Sequence, residues 1–187
     1  MILRIVILVG TFSLLYPQGC SNKEAEATLE KSKFEPNHDV AEVITVTTRP
    51  NTVPNFTWKD PSGKIVDFDS FRGKITLINF WATWCGPCKR ELPDLVALSN
   101  ALAPRGVKFI GISVDRGANV VETVRSYIGQ YKIPYQNVIA NGELEEAFGN
   151  IRAIPTSFII DANGRIVQTI VGMRTKEFFA QAINRLL

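Results

Sequence analysis

Three cysteines and one histidine are all that 187 residues contain of the strongest metal-binding side chains. Zinc takes four ligands. Cys20 stands apart near the start, so beyond the close pair Cys85 and Cys88 only His38, in a polar stretch ahead of the folded part, remains to help; the pair is half a zinc site and no metal is expected. Charge of one sign is also scarce. A net charge of +3 with no run of like charges gives nucleic-acid binding no support. There are no repeats and no low-complexity tracts. Long apolar runs are nearly absent too: the one near the start, IVILVGTFSLLY, is twelve residues, too short to span a bilayer comfortably. What is present is ordinary for one globular domain with an extension, with 45% apolar and 21% charged residues over a length that can bury a substantial core.

That apolar run follows the positive start Met1 to Arg4 and suits the central region of a secretory signal. It leads to PQGC and then to the polar SNKEAEATLEKSK. An apolar run ending in Gly19-Cys20 resembles a bacterial lipoprotein signal, which would make Cys20 the lipidated first residue of the mature chain. Pro17 and Gln18 stand where Leu and a small residue are usual, so an ordinary cleaved signal and an uncleaved short anchor stay open. Each of the three exports the domain. Residues 1–20 are read as this signal, 21–39 as a flexible tether and 40–187 as the folded domain. In an oxidising compartment the remaining pair, Cys85 and Cys88, can cycle or stay bonded.

Along the domain, EVITVTT (42–48) reads as a strand, an extra edge to the sheet. NFTWKDPSGKIVDF (55–68) reads as two strands around an Asp60-Pro61-Ser62-Gly63 turn. KITLINFW is a buried strand. Leu92, Leu95, Val96, Ser99 and Leu102 then recur at helical spacing, with Gly106 as the stop. VKFIGISV (107–114) is a second buried strand. Val120, Val121, Val124, Tyr127, Ile128 and Tyr131 share one helical face. A brief strand near Val138 and a short helix, ELEEAF, follow. SFIID and RIVQTIV flank an Ala162-Asn163-Gly164 turn. A last helix starts at the N-cap Thr175, with Phe178, Phe179, Ala182, Ile183 and Leu186 facing inward. The order implies an α/β domain with a mixed sheet covered by helices.

Cys85 falls where a strand has ended and a helix begins. The unpaired N–H groups and partial positive charge of a helix N-terminus favour thiolate over thiol, so its pKa should lie below the free value of about 8.5. Cys88 is one turn along, within reach of Cys85. Pro87 suits the first turn, where its missing N–H costs nothing, and Gly86 lets another chain approach the sulfur. A permanent disulfide closing so small a loop gains little chain entropy. The C-x-x-C pair between a strand and a helix therefore reads as a redox exchanger.

WCGPCK followed by Pro93, with AIPTSFIID later, resembles a thioredoxin fold. NFWATWCGPCKRELP, preceded by PNFTWKDPSGKIVDFDSFRGK, is more closely similar to the TlpA/ResA-like thiol-disulfide oxidoreductases, over residues 54–187. The resemblance implies a thioredoxin fold, a central mixed sheet flanked by helices, with an added N-terminal β-hairpin and a central insertion. It implies that Cys85 attacks and Cys88 resolves, and that Pro155 is cis and faces the cysteines. The backbone of Ile154 would receive an extended substrate segment by strand addition. Trp84 would be an exposed lip for docking, whereas Trp81 is packed, and Pro93 should kink the long helix. No cofactor is implied, and a monomer is expected. The implied partners are disulfide-containing envelope proteins, apocytochrome c among them, and a membrane thiol donor of the DsbD/CcdA type.

One position departs from thioredoxins proper, which hold a buried Asp six residues before the first cysteine. Here it is Asn79, familiar in the TlpA/ResA-like branch but unable to accept a proton. Glu143, Glu145 and Glu146 are then candidates to deprotonate Cys88, weighed against a plain solvated helix face. The expected activity is thiol-disulfide exchange in the cell envelope, as a reductant, with a disulfide-forming oxidase as the alternative. A peroxiredoxin-like peroxidase would need Thr where Ala82 stands. A copper-carrying assembly protein on this fold would need a histidine late in the chain, and none follows His38.

Overall fold

The computed structural model describes residues 39–187. The signal, Cys20, most of the tether and His38 lie outside the described residues. The strands are β1 (Val40–Thr47), β2 (Asn55–Lys59), β3 (Ile65–Asp67), β4 (Ile75–Trp81), β5 (Val107–Ser113), β6 (Gln136–Ile139), β7 (Thr156–Asp161) and β8 (Ile166–Val171). The helices are α1 (Phe68–Phe71), α2 (Gly86–Leu102), α3 (Val120–Tyr131), α4 (Gly142–Ala147) and α5 (Lys176–Asn184).

All eight strands form one sheet in the order β3-β2-β1-β6-β5-β4-β7-β8. β4 and β5 are parallel and joined by α2, while β7 pairs antiparallel with β4, β8 pairs antiparallel with β7, and the chain then leads into α5. That is the thioredoxin arrangement of a βαβ unit and a ββα unit. The central insertion is α3 and β6, with β6 added parallel to the outside of β5. β1 was expected at an edge but is interior, because it pairs parallel with β6 and antiparallel with β2. The β2–β3 hairpin takes the edge instead. Its turn is held by Asp60, whose side chain accepts from the backbone N–H of Ser62 and Lys64. The strand expected through Phe68 stops at Asp67, because the Asp67 carboxylate caps α1 by accepting from Asp69 and Ser70 N–H.

Every residue of β4 is buried, as befits a central strand covered on both faces. Its side chains alternate between two apolar layers. Ile75, Leu77 and Trp81 join the α2, α3 and α5 side with Leu92, Leu95, Val124, Ile128, Phe179 and Ile183. Ile78 and Phe80 join the other side with Phe56, Trp58, Phe68, Leu144, Phe148 and Phe158. The period of two places Asn79 on the α2 side. Across the sheet Asn79 is paired with Ser157 of β7.

α2 continues through Pro93 to Leu102, then tightens into a single 3₁₀ turn that ends at Gly106 in the left-handed region, φ 82°. Gly111 of β5 is required for a close approach. A Cβ there would lie 2.0 Å from Asn137 Oδ1 and 2.9 Å from Trp81 Nε1, the two atoms of the buried Trp81-to-Asn137 hydrogen bond. Thr175 does cap α5, accepting from Phe178 N–H, and Phe179, Ala182 and Ile183 are buried. Leu186 was expected inside but is 43% exposed, because α5 has already ended at Asn184.

Candidate active site

The buried run of β4 ends at Trp81, where Ala82 and Thr83 turn the chain toward α2. Cys85 is the N-cap of α2, with Gly86 and Pro87 the exposed first residues of the helix. The Cys85 sulfur accepts from Cys88 N–H at 3.2 Å and is bonded to the Cys88 sulfur, with the two Cα atoms 5.2 Å apart. Pairing at a helix start therefore follows from two local facts: a turn of helix separates the side chains by a bond's reach, and Pro87 makes no demand for an N–H partner.

Trp84 is 66% exposed, the most exposed of the large hydrophobic side chains among the described residues. Trp81, by contrast, is buried against Tyr127 and donates its indole N–H to Asn137. A Cβ at Gly86 would meet only Arg90, at 3.7 Å, so the space beside Cys85 is open on that side. The Ile154–Pro155 peptide bond is cis. It brings the Ile154 carbonyl oxygen to 3.7 Å from the Cys85 sulfur, a distance at which a Cys85 thiol could donate to it. Gly172 N–H in turn donates to the Pro155 carbonyl at 2.8 Å. Seven residues singled out in sequence therefore meet where β4 ends and β7 begins: Trp84, Cys85, Gly86, Pro87, Cys88, Ile154 and Pro155.

Behind the disulfide, Asn79, already singled out in sequence, joins Glu91 and Ser157 in a polar trio whose other two members the sequence did not reveal. Asn79 is 3% exposed, and its amide donates to Ser157 Oγ at 2.9 Å and to Glu91 Oε2 at 3.2 Å. Glu91 is 2% exposed and lies one helical turn beyond Cys88 on α2. Its other oxygen accepts from Arg174 N–H at 2.8 Å. Burial raises the Glu91 pKa to about 7, outweighing the hydrogen bonds from Arg174 and Asn79 and the nearby Arg174 charge, which pull it down. A carboxyl that exchanges its proton near neutrality can take one from a neighbouring thiol.

The glutamates suggested from sequence for that task are placed elsewhere. Glu143 and Glu146 are exposed on α4, and Glu145 pairs with Arg116. They are the solvated helix face. Glu91 was missed because a charged residue inside WCGPCKRELP looks like surface. The signal was its spacing: Cys88, Glu91, Leu92 and Leu95 share one face. Among the described residues, no group of three or more His, Cys, Asp or Glu is placed to hold a metal ion.

Comparison with known proteins agrees with this geometry. Residues 50–169 match the AhpC/TSA family. The thiol-disulfide oxidoreductase ResA of Bacillus thuringiensis is 34% identical over 134 residues, which cover 71% of this chain and 75% of that protein. The ResA of Bacillus subtilis is 27% identical over 132 residues, covering 70% and 72%. Among solved structures, a thiol:disulfide interchange protein of the thioredoxin family from Chlorobium tepidum superposes with a TM-score of 0.65 at 37% identity, covering 75% of this chain and 98% of that one. StoA from Bacillus subtilis gives 0.59 at 28% identity, covering 71% and 98%. The chain belongs to the ResA-like thiol-disulfide oxidoreductases and carries their thioredoxin fold.

Proposed function

We propose that this protein is an exported, membrane-tethered reductant of disulfides in cell-envelope proteins, with Cys85 as the attacking and Cys88 as the resolving residue. The observation that carries the reading is the Cys85–Cys88 bond at the N-terminus of α2, with the Ile154 carbonyl 3.7 Å away. When the pair is reduced, the helix N-terminus favours the Cys85 thiolate. It attacks one sulfur of a substrate disulfide, breaking that S–S bond and releasing the other sulfur as thiolate. A mixed disulfide remains. Cys88 then gives its proton to Glu91 and attacks Cys85, expelling the second substrate sulfur and forming the Cys85–Cys88 bond. Two electrons pass to the substrate. The open space at Gly86, the exposed Trp84 and the Ile154 backbone would dock an extended segment of that substrate.

Apocytochrome c is the substrate class that the resemblance to the TlpA/ResA-like proteins implies. An exported reductant must be recharged, so a membrane thiol donor of the DsbD/CcdA type is the implied partner. Tethering would come from lipid on Cys20 or from the N-terminal apolar run, and the working side would be the periplasmic or other extracytoplasmic face. Among the described residues no helix is long and apolar enough to cross a membrane. The test is the reduction potential of the Cys85–Cys88 couple together with trapping in cells. A reductant should have a potential near thioredoxin's, about −270 mV, and an oxidase one nearer −120 mV. Cys88→Ser should trap mixed disulfides with envelope proteins, and Cys85→Ser should trap none. A strongly oxidising potential, or full activity in Cys85→Ser, would overturn the reading.

A further inference from the structure

Asp115, just past the C-terminal end of β5, is a buried carboxylate that the exchange chemistry does not use. It is 5% exposed, and three donors converge on it. Oδ2 accepts from Thr83 N–H at 2.9 Å and from the Ser113 hydroxyl at 2.8 Å, and Oδ1 accepts from the Thr83 hydroxyl at 2.6 Å. Its own N–H donates back to Ser113 Oγ at 3.1 Å. Thr83 is the middle of the short link between β4 and α2. On one side Val114 N–H donates to the Trp81 carbonyl at 2.9 Å, and on the other Cys85 N–H donates to the Ala82 carbonyl at 3.2 Å. One side chain thus holds both donors of the residue that separates the buried strand from Trp84 and Cys85.

We propose that Asp115 is a positioning residue for the dithiol: by gripping Thr83 it keeps Trp84 turned outward and Cys85 seated at the N-cap of α2. The proposal rests on the exchange chemistry assigned to Cys85, but not on the identity or direction of the physiological substrate. If Thr83 is released, the link can swing and Cys85 leaves the helix N-terminus for part of the time. It then loses the N–H groups and partial charge that favour its thiolate. Burial makes the grip costly to leave half-made, since an oxygen that loses a donor inside the protein finds no water to replace it.

Two comparisons separate positioning from charge. Asp115→Asn and Asp115→Ala both remove the negative charge, but only Asn keeps an acceptor for Thr83 N–H and a partner for its hydroxyl. Wild type and Thr83→Val both keep the charge, and only wild type keeps the hydroxyl bond. Within each pair Lys89, Arg90, Glu91, Arg116, Tyr127 and Arg174 are unchanged. The reduced full-length chain is alkylated with iodoacetamide from pH 5 to 9, and labelling at Cys85 is followed by mass spectrometry of its peptide, apart from Cys20 and Cys88. Below the thiolate pKa, Asp115→Ala should react at Cys85 about threefold more slowly than Asp115→Asn, and Thr83→Val about twofold more slowly than wild type. If Asp115→Ala does not fold, the Thr83→Val comparison decides alone. Equal profiles within the pairs, even with lowered stability, would overturn the proposal and leave Asp115 a purely structural residue. A protein that alkylated as expected but reduced no envelope substrate would instead refute the proposed function.

Discussion

Replacing Glu91 with glutamine removes one titrating group and keeps nearly the same shape, so its consequences can be worked out from the site. Burial raises the Glu91 pKa from 4.5 to about 7. Between those values the folded protein holds a proton that the unfolded chain has released, so the stability of the wild type must fall as pH rises. Below about pH 4.5 both states are protonated and this loss is absent; above about 7 it is complete. A shift of this size corresponds to about 3 kcal/mol, and about 2 kcal/mol after allowance for water reaching the site. Glu91→Gln should abolish that pH dependence. Urea unfolding of the oxidised proteins at intervals from pH 4 to 8 measures it, and the two midpoints should cross or converge toward low pH. The same substitution should slow closure of the Cys85–Cys88 bond. An ordinary thiol, with pKa about 8.5, is only about 3% thiolate at pH 7, so loss of the proton acceptor costs at most about 30-fold there and nothing above about pH 9. Stopped-flow release of substrate thiol from a preformed mixed disulfide reads that step. A constant offset between wild type and mutant stability across the whole range, with an unchanged pH profile for closure, would refute the assignment of Glu91 as the buried acceptor.

Asn79→Asp would set a second carboxyl against Glu91, and the pair should share a proton at neutral pH. Stability should fall by about 3 kcal/mol or more between pH 4 and 7, and thiolate absorbance against pH should show an added ionisation; a single unchanged titration would place Asn79 away from the pair. Trp84→Ala should leave the unfolding free energy within about 0.5 kcal/mol of wild type, because the side chain is mostly exposed. Its KM for a protein disulfide should rise about fivefold or more while reaction with oxidised glutathione is unchanged, as steady-state kinetics on the two substrates would reveal. Gly111→Ala should drive a methyl group into the Asn137 amide and break its bond to Trp81. The expected cost is about 2–4 kcal/mol in denaturant unfolding, and a loss under 1 kcal/mol would mean that β5 moves freely.

Much of this protein was legible in its sequence because the governing interactions are local. Two cysteines at C-x-x-C spacing, a buried strand before them and Pro87 between them need no distant partner to define a dithiol at a helix start. Thr175 as a cap and the Asp60 hairpin turn were readable for the same reason: the side chain that makes each turn lies beside the backbone it holds. The cis Ile154–Pro155 bond was expected only from the resemblance, because most X-Pro bonds are trans and nothing local marks the exception. Tertiary structure alone decided the rest. β1 reads as an edge strand because its partner residues in β6 are 97 positions away in sequence, Val40 pairing with Asn137, and pairing across that distance leaves no periodic mark. Glu91 reads as surface because its charge argues for water. Its burial follows from Asn79, Ser157 and Arg174, which arrive from β4, β7 and the turn after β8. Asp115 likewise becomes a clasp only when the sheet sets the end of β5 beside the β4–α2 link. A buried polar group is defined by the donors that meet it, and those donors come together only once the chain has folded.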